Sequence, residues 1–210
     1  MPASFVDAKN ENTAPAVTSI SGESNATTAG LSAANGPLMP SLMVPTPELH
    51  SGSQAMFDRG LNLLRDGKPE AAEVLFEQLS RDQPELAGPW FNLAKIYLMR
   101  EEPGAAVSAL ERALQANPEN CDALNQMGVL ARHDGRFDDA EGFYRSCLRA
   151  QPNYAAAHLN LGILYELYMG RLSEALAAYN NYQMMLPSAD QQVAGWVMDL
   201  ERRVASIAKR

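Results

Sequence analysis

The chain has 210 residues, a formal net charge of −8 and a composition that is 46% hydrophobic and 20% charged, ordinary values for a soluble protein of one or two domains. This acidic balance excludes nucleic acid as the main partner, because phosphate binding needs a concentrated excess of Lys and Arg. No stretch comes near the roughly 18 consecutive apolar residues of a membrane span, and Cys121 and Cys147 belong to no Cys-x-x-Cys or Cys/His cluster, so the expectation is two buried free thiols rather than a zinc site or a disulfide framework.

Residues 1–46 are rich in Ala, Ser, Thr, Asn, Gly and Pro, with almost no aromatic residues and no helical period. Such a segment cannot bury enough apolar area to offset its chain entropy, so a disordered tail is expected. Its start, Met1-Pro2-Ala3-Ser4-Phe5-Val6-Asp7, has neither the basic residues nor the apolar run of a secretory signal. A cytoplasmic location is the resulting default, with a periplasmic one left open if the true start lies upstream. Near the end of the tail, Pro37-Leu38-Met39-Pro40-Ser41-Leu42-Met43-Val44-Pro45 is apolar and punctuated by proline. It reads as an extended, polyproline-like strip or as a plain linker.

From residue 53 the chain repeats. Pro84, Pro118, Pro152 and Pro187 stand 34, 34 and 35 residues apart, and segments 53–86, 87–120 and 121–154 align without gaps, followed by 155–189 with one extra residue. A period of this length predicts a helical-hairpin solenoid, in which each unit is two antiparallel helices unable to bury their apolar faces alone. In the second unit Trp90, Leu93, Ala94 and Tyr97 open the first helix, Ala106 and Leu110 sit in the second, and Pro118 closes the unit. Gly60, Ala72, Phe76 and Pro84 repeat the pattern in the first, Met127, Gly128, Ala140, Tyr144 and Pro152 in the third, and Leu161, Gly162, Tyr165, Ala175, Tyr179 and Pro187 in the fourth.

These four copies resemble the tetratricopeptide repeat, and the resemblance covers about 135 of the 210 residues. It implies an all-α, right-handed superhelical solenoid of antiparallel helix pairs over residues 47–187. Gly60, Ala94, Gly128 and Gly162 fall at the eighth place of each unit, where a small residue lets the two helices approach closely, and Ala72, Ala106, Ala140 and Ala175 supply the matching contact. Turns are expected at Asp66-Gly67, Pro103-Gly104, Asp134-Gly135 and Met169-Gly170. Arg59 stands where the family usually has leucine, and His158 where it usually has tryptophan. The extra residue of the fourth unit falls between Tyr165 and Ala175, where a lengthened turn is expected to absorb it.

After Pro187 a final helix is predicted over 188–210. Ser188 and Gln191 fit a capping box, and Val193, Trp196, Val197, Leu200, Val204 and Ile207 recur on one face. A solenoid exposes the apolar end of its last unit, so this helix reads as a cap, with docking to another subunit through Trp196 as the sharper alternative.

No nucleotide-binding glycine loop, nucleophile elbow or His-Glu-x-x-His motif is present, and His50, His133 and His158 are scattered. An enzyme is not expected, nor is a cofactor or a metal. The groove is more informative. At about 100° per residue, places 4, 7, 8 and 11 of each first helix face into the solenoid, and places 2, 5, 6, 9 and 12 face the other way. In tetratricopeptide repeats that other face lines the concave surface. Places 5, 9 and 12 are Phe57, Leu61, Leu64; Phe91, Lys95, Leu98; Asn125, Val129, Arg132; and Leu159, Ile163, Glu166, eight of the twelve being apolar.

Place 6 stacks Asp58, Asn92, Gln126 and Asn160. A side-chain amide can pair with both the N–H and the C=O of an extended peptide, as the asparagine ladder of some relatives does, although these amides can equally bond within their own helices. The carboxylate clamp of chaperone-binding relatives is not matched: Phe57, Leu61, Asp122 and Gln126 occupy its places and only Asn92 agrees. The expected function is therefore a non-catalytic adaptor, monomeric, holding a peptide segment of another protein in an apolar, amide-lined groove. The alternatives are a self-associating assembly factor, such as an envelope or pilus-assembly protein, and a groove closed by the chain's own Pro37–Pro45 strip.

Overall fold

The computed structural model describes residues 51–208. The expected tail, 1–46, and the strip Pro37–Pro45 lie outside the described residues. Nine α-helices succeed one another there: α1 (Ser51–Arg65), α2 (Pro69–Asp82), α3 (Ala87–Met99), α4 (Pro103–Ala116), α5 (Cys121–His133), α6 (Phe137–Ala150), α7 (Ala155–Ile163), α8 (Leu172–Met184) and α9 (Gln191–Ile207), with no strand among the described residues. They form four hairpins, α1–α2, α3–α4, α5–α6 and α7–α8, and each second helix packs on the first helix of the next hairpin. Helix α9 lies on α8.

Each hairpin is held by a size match between its two helices. A Cβ on Gly60 would lie 2.7 Å from Phe76 Cζ, and one on Gly128 or Gly162 would run into the Tyr144 or Tyr179 ring. In the second hairpin the corresponding pair is Ala94 with the smaller Leu110, both fully buried. The matching alanines Ala72, Ala106, Ala140 and Ala175 are likewise fully buried. A second recurring contact joins the proline of one unit to the next: Trp90 Nε1 donates to the Pro84 carbonyl at 3.1 Å, and His158 Nε2 lies 3.0 Å from the Pro152 carbonyl. The imidazole thus does the work of the indole N–H it replaces.

Every hairpin apex is three residues long, and its middle residue is left-handed: Gly67 (φ 70°), Glu101 (φ 60°), Gly135 (φ 75°) and Gly170 (φ 66°). In the second hairpin the turn is therefore Arg100-Glu101-Glu102, not Pro103-Gly104; Pro103 opens α4, where a missing N–H costs nothing. The first three apices close with the same bond, Lys68 N to Leu63 O, Glu102 N to Tyr97 O and Arg136 N to Ala131 O. The fourth closes one residue further back, Arg171 N to Tyr165 O. The extra residue is not absorbed by a longer turn. It is taken up as a single π-helical turn, Leu164–Tyr168, that continues α7 and widens the helix by one residue, while the apex keeps its three residues and its left-handed Gly170.

Two other expectations are corrected. Cys121 and Cys147 are both buried, as expected, but they are bonded to each other as a disulfide, with a Cα–Cα distance of 4.6 Å. Cys121 begins α5 and Cys147 lies near the end of α6, so antiparallel pairing brings together two residues 26 apart in sequence. Closing a loop of this length contributes about 3–4 kcal/mol in the chain-entropy treatment. The cap of α9 is Asp190 rather than a Ser188–Gln191 box: Asp190 Oδ1 accepts from the backbone N–H groups of Gln192 (2.9 Å) and Val193 (3.2 Å). Gln183 holds Asp190 from below through its carbonyl (2.7 Å) and its N–H (2.9 Å). Val193 and Leu200 of α9 are buried, and Trp196 packs on Tyr179 with centroids 5.6 Å apart.

The size match has a direct test. Gly162→Ala should lower stability by about 1–3 kcal/mol through overpacking. Gly104→Ala, in open space within α4, should instead raise it by about 0.5–1 kcal/mol. Equilibrium denaturation of the two variants checks both signs.

Candidate functional site

The groove residues divide into two halves. Over the first two hairpins Phe57, Leu61, Leu64, Phe91 and Leu98 are half-buried. Phe57 meets Phe76 edge-on, with ring centroids 5.6 Å apart, and a Cβ on Gly88 would lie 3.1 Å from its ring, so Phe57 seals the step from α1 to α3 while keeping part of its surface open. Lys95 is exposed and sets its ammonium 5.9 Å from the Phe91 ring centre. Over the last two hairpins Val129, Leu159 and Ile163 are buried with Leu124, Ala131 and Tyr165 in one cluster. The reachable apolar surface therefore belongs to the first half of the row.

The amides of place 6 are largely engaged within the chain. Asn92 is buried, and its Nδ2 donates to the Gly88 carbonyl of its own helix at 2.9 Å. Asn160 Nδ2 donates across hairpins to Asn125 Oδ1 at 2.9 Å, and Asp58 accepts from Gln54 at 2.9 Å. Gln126 is half-buried. Bonding within the helix thus describes Asn92, while Asn160 with Asn125 forms a rivet between α5 and α7.

Place 12 of the last two hairpins carries charge. Glu166 lies in the π-turn and is buried; its Oε2 accepts from the Tyr179 hydroxyl at 3.1 Å and its Oε1 from Arg203 Nη1 of α9 at 2.8 Å. Arg132 is buried with Cζ 5.7 Å from the Tyr168 ring centre. The Tyr144 hydroxyl faces Arg132 without the geometry of a hydrogen bond. Burial pushes this phenol up to about 12, against the opposing pull of the Arg132 charge. The Tyr179 phenol is raised by burial and then by the Glu166 carboxylate. Tyr144, Tyr168, Tyr179 and Arg203 are absent from the groove that the repeat register predicts. Only the extra residue of the fourth unit signals a local change, since one added residue rotates the later side chains of a helix by about 100°.

At the apices of the third and fourth hairpins lies an open cleft of about 520 Å³. Phe137 and Tyr168 form one wall, with ring centroids 5.0 Å apart. Its cations are already paired: Arg136 with Asp134 (3.1 Å) and Asp139 (2.9 Å), and Arg171 with Glu141 and Glu174 (both 2.9 Å). Among the described residues no group of three or more His, Cys, Asp or Glu side chains is placed to hold a metal ion, and no helix is long and apolar enough to cross a membrane.

A stack of helical hairpins with a left-handed apex in each, closed by a final helix, defines a helical-repeat solenoid. The tetratricopeptide repeat profile matches residues 57–120, 91–155 and 125–190, and the chain belongs to that family, whose members in general mediate protein–protein interaction. Over 88 residues it is 30% identical to the peroxisomal targeting signal receptor of Candida albicans, covering 41% of this chain and 15% of that protein. The chain spans between 10% and 54% of the length of the curated relatives it matches. Among solved structures, pilF of Pseudomonas aeruginosa superposes with a TM-score of 0.64 at 22% identity, over 73% of this chain and 69% of that one. YrrB, described as a TPR protein with an unusual peptide-binding site, gives 0.55 at 23% identity, over 71% and 75%. At these identities the structures share the fold.

The tyrosines make the protein alkali-sensitive in a defined window. Tyr144 ionises near about 12 in the folded state and in the unfolded chain as an ordinary phenol does, at about 10. Its contribution to stability is whole below about pH 10 and is lost as pH rises toward about 12. Denaturation midpoints across that interval should fall, and Tyr144→Phe should flatten the fall.

Proposed function

We propose that the protein is a non-catalytic adaptor that holds a peptide segment of a partner protein along the inner face of α1, α3, α5 and α7. The observation that carries this reading is the half-buried apolar row Phe57, Leu61, Leu64, Phe91 and Leu98. Side chains of this kind gain the most from being covered, and a few aromatic anchors commonly supply most of an interface's affinity. Asn92, Asn125 and Asn160 are engaged within the chain, so of the polar residues along the same face with Val129, Arg132, Leu159 and Ile163 it is the half-buried Gln126 and the exposed Lys95 that would set the register of the bound segment. Alanine at both Phe57 and Phe91 should weaken capture of the partner by about 1–4 kcal/mol. Phe57 also packs on Phe76, so the double variant is checked for an unchanged helical circular dichroism spectrum. A folded variant with an unaltered pull-down profile would contradict the groove assignment.

The disulfide bears on location. Thiols are kept reduced in the cytosol, and structural disulfides persist in oxidising compartments. Our reading is therefore that the protein works outside the cytosol, against the cytoplasmic default drawn from its first residues. Alkylation of intact cells followed by mass spectrometry should find Cys121 and Cys147 unmodified and linked; two alkylated thiols would return the protein to the cytosol.

A further inference from the structure

Among the described residues, Arg132 on the inner face has no anionic partner. It is 5% exposed, and its Nε and Nη1 are buried without a hydrogen bond. The nearest group that engages it is a ring, Tyr168, 5.7 Å from Cζ. The Tyr144 hydroxyl faces it and is fully buried, close enough for the Arg132 charge to act on it but outside hydrogen-bond geometry. Glu166, the carboxylate at the same place of the next hairpin, is engaged by Tyr179 and Arg203. A buried guanidinium with idle donors is a substantial cost to the fold, and that cost is recovered when an anion arrives.

We propose that Arg132 anchors the side-chain carboxylate of an Asp or Glu in the bound peptide, at the junction of the third and fourth hairpins. This rests on the groove reading above and adds the chemistry of one position in its ligand. A carboxylate fits better than a phosphate for two reasons. The guanidinium fork matches its two oxygens, and a phosphate near −2 would need a second free cation, whereas Arg203 is committed to Glu166. The apolar row of Leu98 and Phe91 lies on the preceding hairpin, so the acidic residue should stand to one side of apolar anchors.

The test uses a positional library of short, C-terminally amidated peptides, so that side chains provide the only carboxylates. The full chain and its Arg132→Met and Arg132→Lys variants are compared, with bound peptides read by mass spectrometry and each protein's melting followed in parallel. Wild type should select Asp or Glu at one position beside apolar residues. Arg132→Met should keep the apolar preference, lose the acidic one and bind the best acidic peptide at least ~10-fold more weakly, with Arg132→Lys between. Arg132→Met should also melt no lower than wild type, since an unpaired buried charge has been removed. Apolar selection without an acidic position, or an acidic preference that survives in Arg132→Met, overturns the anchor and leaves the groove standing. A marked loss of stability in Arg132→Met overturns it too, by making the arginine structural. If wild type selects no peptide, the groove reading falls, and the anchor with it.

Discussion

Everything in this structure hangs on how closely two helices can lie within each hairpin. Gly60, Gly128 and Gly162 make room for Phe76, Tyr144 and Tyr179, and Ala94 for Leu110. A larger residue at the eighth place would push the helices apart. Because that contact recurs in phase, each first helix keeps one face toward its own partner, and the opposite face is the one proposed to hold a peptide. The proposed groove follows from that packing: places 5, 6, 9 and 12 are assigned to it because place 8, buried in all four hairpins, cannot leave the core.

The fourth hairpin shows how firmly the rest of the unit resists change. With one residue more than its neighbours, it keeps the three-residue apex and the Gly162–Tyr179 contact and places the excess in a π-turn. The turn carries Glu166, which is bonded to α8 through Tyr179 and to α9 through Arg203. One irregularity thus ties the last hairpin to the final helix, beside the place where Arg132 lies with idle donors. The two ends of the groove differ in consequence, with open apolar surface over the first hairpins and buried charge over the last.

The fold is readable from the sequence because its main constraints are steric and periodic. Proline spacing, Gly or Ala at the eighth place and the aromatic or leucine opposite it repeat in register, and three of the four apices carry a glycine. The apex of the second hairpin is misplaced by sequence reasoning because Glu101 adopts a left-handed conformation that glycine would have advertised. The disulfide is hidden for a different reason: Cys121 and Cys147 are 26 residues apart, and only the antiparallel hairpin brings them together. Asp190 escapes notice as a cap because Ser188 offers a plausible pattern two residues earlier. In the groove, the repeat register puts side chains on the correct helices but cannot say which amides are already engaged. Asn160 binds Asn125 across hairpins, and no local pattern announces that pairing.

The central claim is that partners are held on the inner face and not on the outer one. Site-specific photo-crosslinking addresses it even while the partner is unidentified. A photoreactive residue is placed in turn at Leu61 and Leu98 of the inner row and at Val74, 62% exposed on α2. The account predicts covalent adducts to one partner from the two inner positions and none from Val74. Equal or stronger labelling from Val74 would contradict it.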